Sequence, residues 1–78
     1  MSTIVEVKKE AFYRDGKIVI RIGTDVEISF PVSKNPRLSK GTEEQLRKIE
    51  ISPFGLHWPD LDEDLSFEGL KRGEFGQR

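Results

Sequence analysis

The chain has 78 residues, 35% of them hydrophobic, and contains no cysteine. These values are typical of a single domain with a thin core, and they exclude disulfide bonds and thiolate metal sites. The formal net charge is −1, from 13 basic and 14 acidic residues, which argues against an all-over basic surface for nucleic acid. No apolar run approaches the ~20 residues of a membrane span and no signal-peptide core is present, so we expect a cytoplasmic protein without membrane contact.

Two segments near the N-terminus alternate apolar and polar residues with the period of a half-buried strand. They cover residues 17–22 and 26–31, and a glycine-containing turn joins them into a hairpin. A weaker strand is predicted from Ile4 to about Lys9, and Asp15-Gly16 is a turn signal between it and the hairpin. We therefore predict three antiparallel strands.

A short helix is predicted after a loop at residues 32–41, in which an Asn-Pro pair and a glycine interrupt any regular pattern. Thr42 and Gln45 have the spacing of a capping box, which places the helix from Glu43 to about Lys48. Its Leu46 should face the sheet. The basic residues of the 34–48 region should then be exposed.

The C-terminal third predicts shorter elements. Residues 49–51 alternate again and residues 56–58 continue as a strand beyond a bend, while Ser66 is a candidate N-cap for a last helical turn through Leu70. We expect residues 70–78 to form a frayed tail of a single domain spanning residues 1–78. The fold class is α+β, an antiparallel sheet of three to four strands with one packed short helix and a C-terminal signature segment ending in a helical turn. One continuous core should contain Ile18, Ile20, Ile22, Val26, Ile28, Phe30, Leu46 and Ile51.

The most unusual feature is the sequence FGLHWPDLDEDLSFEGL at residues 54–70. It contains the only histidine and the only tryptophan of the chain, followed at once by a concentrated group of carboxylates. The candidate binding residues are accordingly His57, Trp58, Asp60, Asp62, Glu63 and Asp64. Trp58 has two interpretations: a core side chain whose indole N–H donates to a carbonyl, or the aromatic anchor of an interface.

Charge is distributed unevenly along the chain. Residues 50–70 include Glu50, the carboxylates of the motif and Glu68, but no lysine or arginine. An exposed acidic loop at residues 60–64 would attract a small basic partner protein and raise its association rate.

The chain as a whole resembles a small bacterial family catalogued as "domain of unknown function 2442". The features that carry the resemblance are the hairpin around its glycine turn, FPVSK at residues 30–34, TEEQL at residues 42–46 and GLHWPDLDEDLSFEGL at residues 55–70. The family has no established activity. The resemblance implies a non-catalytic role beside a second small protein encoded nearby, in an arrangement similar to a toxin–antitoxin pair.

We therefore predict an antitoxin-like interaction domain that binds a small, basic, toxin-like partner through its acidic C-terminal loop. We expect no enzymatic activity, no cofactor and no metal. A homodimer is compatible with the small core. One alternative is a DNA-binding regulator that uses the basic 34–48 region. A second is a metal-dependent hydrolase at His57, Asp60, Asp62 and Asp64. Against a calcium loop, Leu65 and Lys71 occupy the positions that require glycine and glutamate.

Overall fold

The computed structural model of the protein describes residues 8–76. Its first sheet consists of the predicted hairpin and one further antiparallel strand. Its strands are β1 (Lys9–Arg14), β2 (Lys17–Ile22) and β3 (Val26–Pro31), in the order β1-β2-β3. Ile20 lies opposite Ile28 and Ile18 lies opposite Phe30. Directly opposed residues point to the same face of a sheet, so the predicted register is confirmed.

The first strand lies later in the chain than predicted. The sequence placed it from Ile4 to about Lys9, whereas β1 begins at Lys9 and continues to Arg14, which pairs with Lys17. Asp15 and Gly16 have φ of 49° and 79°, so both central turn residues have positive φ, as a two-residue hairpin turn requires. Because the turn has only two residues, the pairing of β1 with β2 begins at the residues on either side of it, Arg14 and Lys17. Residues 4–7 lie outside the described part of the chain.

The segment predicted as a loop at residues 32–41 contains a 3₁₀ turn (Val32–Lys34) and a short helix, α1 (Pro36–Ser39). Asn35 caps this helix, since its side-chain oxygen accepts hydrogen bonds from the backbone N–H groups of Arg37 and Leu38. The Asn-Pro pair is therefore a helix start with proline at the first turn, not a breaker. The prediction of a loop was wrong here.

The second helix, α2 (Glu43–Arg47), confirms the predicted capping box. Thr42 Oγ1 accepts from the Gln45 N–H at 3.2 Å, and Gln45 Oε1 accepts from the Thr42 N–H at 2.9 Å. Leu46 is buried, as expected from its position facing the sheet.

A second antiparallel sheet, in the order β4-β5-β6, follows. It consists of β4 (Glu50–Ile51), β5 (Gly55–Trp58) and β6 (Glu63–Ser66), and β6 runs into the helix α3 (Phe67–Lys71). The sequence predicted the first two of these strands but not β6. Gly55 is needed because a Cβ there would lie 2.1 Å from the Leu65 carbonyl oxygen, so only glycine lets β5 and β6 approach this closely.

The α+β class is confirmed, with one core shared by both sheets and the helices. Its buried apolar residues are Ile18, Ile20, Phe30, Leu38, Leu46, Leu56, Trp58, Leu65, Phe67 and Leu70. Ile22 and Ile28 pack against this core, but Val26 and Ile51 are 40% and 43% exposed and do not belong to it. Val26 begins an edge strand and Ile51 belongs to an edge strand of two residues, where little packs over a side chain.

The C-terminal segment is packed rather than frayed as far as residue 76. Ser66 caps α3, as predicted, by accepting from the Gly69 N–H at 2.9 Å. After α3 the chain reverses at Gly73, and the Phe75 ring stacks on the Phe30 ring with centroids 4.6 Å apart. The prediction of a frayed tail was therefore wrong for residues 70–76, because Leu70 and the Phe75 ring supply apolar contacts that hold it.

Candidate functional site

The motif residues alternate between the two faces of the second sheet. His57 lies opposite Asp64 and Trp58 lies opposite Glu63 in the β5–β6 pair. Consecutive residues of a strand point to opposite faces. We call the side with Trp58 and Glu63 the inner face and the side with His57 and Asp64 the outer face.

Trp58 lies on the inner face and is completely buried. Its indole Nε1 donates a hydrogen bond to the Leu46 carbonyl oxygen at 3.2 Å. This is the predicted core interpretation, in which a buried indole N–H needs an acceptor. The alternative of a surface anchor was wrong, because the side-chain direction in β5 aims Trp58 at α2.

Glu63 is also on the inner face and is only 3% exposed. Its Oε2 accepts a hydrogen bond from Asn35 Nδ2 at 2.7 Å, and its Oε1 accepts from the Asp64 N–H at 3.3 Å. A carboxylate leaves water only where hydrogen bonds replace its hydration. The expectation of an exposed Glu63 in an acidic loop was therefore wrong, and its partner lies 28 residues away along the chain.

Asp60 and Asp62 are exposed as predicted, but each is matched by a basic residue of the 34–48 region. Lys48 Nζ lies 3.2 Å from Asp60 Oδ2, and Arg37 Nη1 lies 3.5 Å from Asp62 Oδ2. Arg37 Nη1 also donates to the Asp62 carbonyl oxygen at 2.5 Å. The acidic loop and the basic segment thus neutralise each other in part, which weakens both as separate charged surfaces.

The outer face presents an imidazole–carboxylate pair. His57 Nδ1 lies 2.5 Å from Asp64 Oδ1, and the two side chains are 38% and 79% exposed. Glu50, on the neighbouring strand, lies opposite His57 and is exposed as well. Unlike Asp60 and Asp62, these two carboxylates are not matched to the basic 34–48 region.

A turn at residues 52–55 places an aromatic ring beside this pair. Ser52 Oγ accepts from the N–H groups of Phe54 and Gly55, both at 3.2 Å, which fixes the turn. Phe54 is 83% exposed, and with His57 and Asp64 it lines a pocket of about 230 Å³. Phe54 is not among the binding residues predicted from the sequence, although a Ser-Pro-Phe-Gly turn between two strands is a signal for a residue at the tip of a hairpin.

The residues proposed for a hydrolase do not form one site. Asp64 contacts His57, while Asp60 and Asp62 are directed to Lys48 and Arg37. Between residues 8 and 76, no three histidine, aspartate or glutamate side chains are grouped closely enough to hold a metal ion. In the same range no helix has the length and apolar character needed to cross a membrane.

Together these features define a small α+β domain with an ordered core and an exposed face on its second sheet. The sequence matches the family described as "Protein of unknown function (DUF2442)" over residues 9–76. The chain belongs to this family, which confirms the resemblance carried by its motifs.

Two solved structures share the fold over most of the chain. A protein of unknown function from Rhodospirillum rubrum is 30% identical, with a TM-score of 0.77 and 95% of each chain covered. An uncharacterised protein from Chromobacterium violaceum is 36% identical, with a TM-score of 0.75, and the match covers 91% of this chain and 69% of that one. No curated protein matches the sequence significantly.

Proposed function

We propose that the protein is a non-catalytic binding module that recognises a partner protein through the outer face of its second sheet and the Phe54 turn. The observation that carries this proposal is Phe54 itself. A phenylalanine side chain that is 83% exposed beside a pocket has no role in the core. Aromatic residues are enriched among those that dominate binding energy at interfaces.

The charges of this surface favour a basic partner. Asp64 and Glu50 are exposed carboxylates on the same face, while Asp60 and Asp62 already have cationic neighbours within the chain. An arginine or lysine of the partner could pair with Asp64 while its aliphatic stem covers the Phe54 ring. The partner class is the one predicted from the acidic segment, but the contact surface is different.

An antitoxin-like role fits this proposal, since such a protein acts by covering a second small protein rather than by chemistry. It is supported by the family resemblance and by the exposed surface. A second candidate function has no comparable support. DNA binding would use Lys34, Arg37, Lys40 and Lys48, and two of these four, Arg37 and Lys48, are paired with Asp62 and Asp60.

The test is recovery of the tagged chain from its host, quantification of co-purified proteins and reconstitution with the partner so identified. Phe54→Ser should weaken the Kd by roughly 30-fold, since loss of an interface hot spot costs about 2 kcal/mol. Val26→Ser is its matched control, because Val26 is an exposed apolar residue on the first sheet. The partner should have a basic surface.

The charge contribution is tested with a second matched pair. Asp64→Asn should slow association at low salt and have less effect at high salt, whereas Asp62→Asn should change neither. The proposal fails if Phe54→Ser and Asp64→Asn retain full affinity for a partner that the wild-type chain binds. It also fails if the partner is lost only when Arg37 or Lys48 is replaced, because the basic 34–48 region would then be the contact surface.

A further inference from the structure

The C-terminal segment packs into a groove formed by Phe30, Asn35 and Glu63. Its Phe75 ring is stacked on Phe30 with an interplanar angle of 7° and a centroid distance of 4.6 Å. The ammonium group of Lys34 lies 5.9 Å from the centroid of the Phe75 ring. The ring therefore occupies a slot with the Phe30 ring stacked on it and a cation over it, an arrangement that suits any aromatic side chain.

A fully buried side chain of the groove binds the backbone of this segment. Asn35 Nδ2 donates to the Phe75 carbonyl oxygen at 2.8 Å and to Glu63 Oε2 at 2.7 Å. Its Oδ1 is fixed by the two N–H groups at the start of α1. The amide is thus held in one orientation, with one N–H directed at the bound segment.

The groove also selects the residue that follows the aromatic one. Gly76 has φ of +80°, and a Cβ at this position would lie 2.4 Å from Asn35 Nδ2 and 3.0 Å from Glu63 Oε2. Both of those side chains are buried and hydrogen-bonded to each other, so neither can move aside at low cost. Only glycine satisfies the conformation and the space together.

The walls of the groove come from three other elements of the fold. Phe30 belongs to β3, Asn35 caps α1 and Glu63 belongs to β6. The tail is attached through α3, where the N–H groups of Gly73 and Glu74 bond the carbonyls of Leu70 and Gly69 and reverse the chain. The segment is therefore comparable to a peptide ligand tethered by a short connection.

We propose that this groove is a peptide-binding site for an aromatic residue followed by glycine, which Phe75–Gly76 occupies as an intramolecular ligand. The external ligand is a segment of a partner protein with the same two residues. Such a segment binds only when it displaces the tail, whose short tether gives it an effective concentration of about 1 mM or more. The site is independent of the outer face and of the proposed function.

The experiment uses the full-length chain with the substitution Phe75→Ala, which removes the ring but leaves the groove. The probe is the synthetic peptide Gly-Glu-Phe-Gly-Gln-Arg, the sequence of residues 73–78. Binding is measured by calorimetry and by NMR of the Asn35 side-chain amide. We expect saturable binding that shifts the Asn35 amide, and an apparent affinity at least ~10-fold lower for the wild-type chain, whose own tail competes.

Two controls test the specificity of this binding. A peptide with alanine in place of its phenylalanine should not bind, because it lacks the ring. A peptide with alanine in place of the glycine that follows the phenylalanine should not bind either, because the added methyl group would collide with Asn35. On the protein side, Phe12→Ala is the matched control; Phe12 lies in β1, where Arg21 covers its ring. This variant should bind the peptide no better than the wild-type chain does.

Three outcomes would overturn the proposal. The first is a folded Phe75→Ala chain whose Asn35 amide does not respond to millimolar peptide. The second is equal binding of the peptide without its phenylalanine. If Phe75→Ala does not fold, the Gly76→Ala chain takes its place in the same titration. The third outcome is that this chain also unfolds, because the tail would then be an integral part of the core and the groove would not be a binding site.

Discussion

The two faces of the second sheet differ, although their side chains come from neighbouring positions of β5 and β6. Trp58 and Glu63 point inward and are buried. Trp58 is hydrogen-bonded to Leu46 of α2, and Glu63 is hydrogen-bonded to Asn35, the N-cap of α1. His57 precedes Trp58 and Asp64 follows Glu63, and both point outward, where they form a hydrogen bond with each other at the surface. A motif that is continuous in sequence is therefore divided in space between the buried core and the exposed surface.

Composition alone therefore cannot assign a role to an acidic cluster. Strand alternation places Glu63 and Asp64 on opposite faces of the sheet, so each side chain meets a different environment. The partition can be tested by paired substitutions, one on each face.

Trp58→Ala should have the largest effect. It removes the largest side chain of the core and leaves the Leu46 carbonyl without its donor, so the free energy of unfolding should fall by about 3–5 kcal/mol. His57→Ala, on the adjacent outer position, should change it by no more than about 0.5 kcal/mol. Urea denaturation followed by circular dichroism measures both, and equal losses would show that the two faces are not distinct.

Glu63→Ala should come next, with a loss of about 2–3 kcal/mol, because Asn35 Nδ2 loses a charged acceptor in a buried site. Glu63→Gln should also destabilise the protein, since both carboxylate oxygens accept hydrogen bonds and an amide retains only one acceptor. Asp64→Ala is the outer-face control and should be nearly neutral. A neutral Glu63→Ala would mean that water replaces the carboxylate at Asn35.

Gly55→Ala should cost about 1–3 kcal/mol through overpacking against the Leu65 carbonyl. It tests the pairing of β5 with β6, on which the division into faces depends. Amide hydrogen exchange should show faster exchange in these two strands. Unchanged protection of Leu56 and Leu65 would contradict the close approach at Gly55.

The smallest effect is expected at the exposed ion pairs. Asp60→Asn and Asp62→Asn should each change the free energy of unfolding by less than about 1 kcal/mol, and less still at high salt. Replacing Asp62 and Glu63 together should nevertheless destabilise the chain, through Glu63. Thermal melts at two ionic strengths distinguish the surface contribution from the buried one.

The β2–β3 hairpin and the N-caps of α2 and α3 were predictable because their signals are local. Alternation within a strand gave the faces of β2 and β3, and the spacing of Thr42 and Gln45 gave the start of α2. The second sheet was not fully predictable, since its strands have only two to four residues, too few for a clear period. The contact between Asn35 and Glu63 has no local signal at all, because it joins a helix cap to a strand far along the chain.

The candidate site was only partly predictable for the same reason. The sequence identified the region and the residue types, and it identified His57 and Asp64 among them. It could not tell that Asp60 and Asp62 would meet Lys48 and Arg37, since only the folded chain brings residues 34–48 beside residues 60–64. Phe54 was missed because one phenylalanine in a turn is not distinguished from a core residue until its exposure is known.

The buried position of Trp58 gives the molecule an internal optical probe. It is the only tryptophan in the chain, so all indole fluorescence comes from one dry, hydrogen-bonded site in the core. Emission should shift to longer wavelength when that site opens to water and should be unaffected by ligands on the outer face. Unfolding of the core can thus be followed in the native sequence, separately from events at the surface and without an added label.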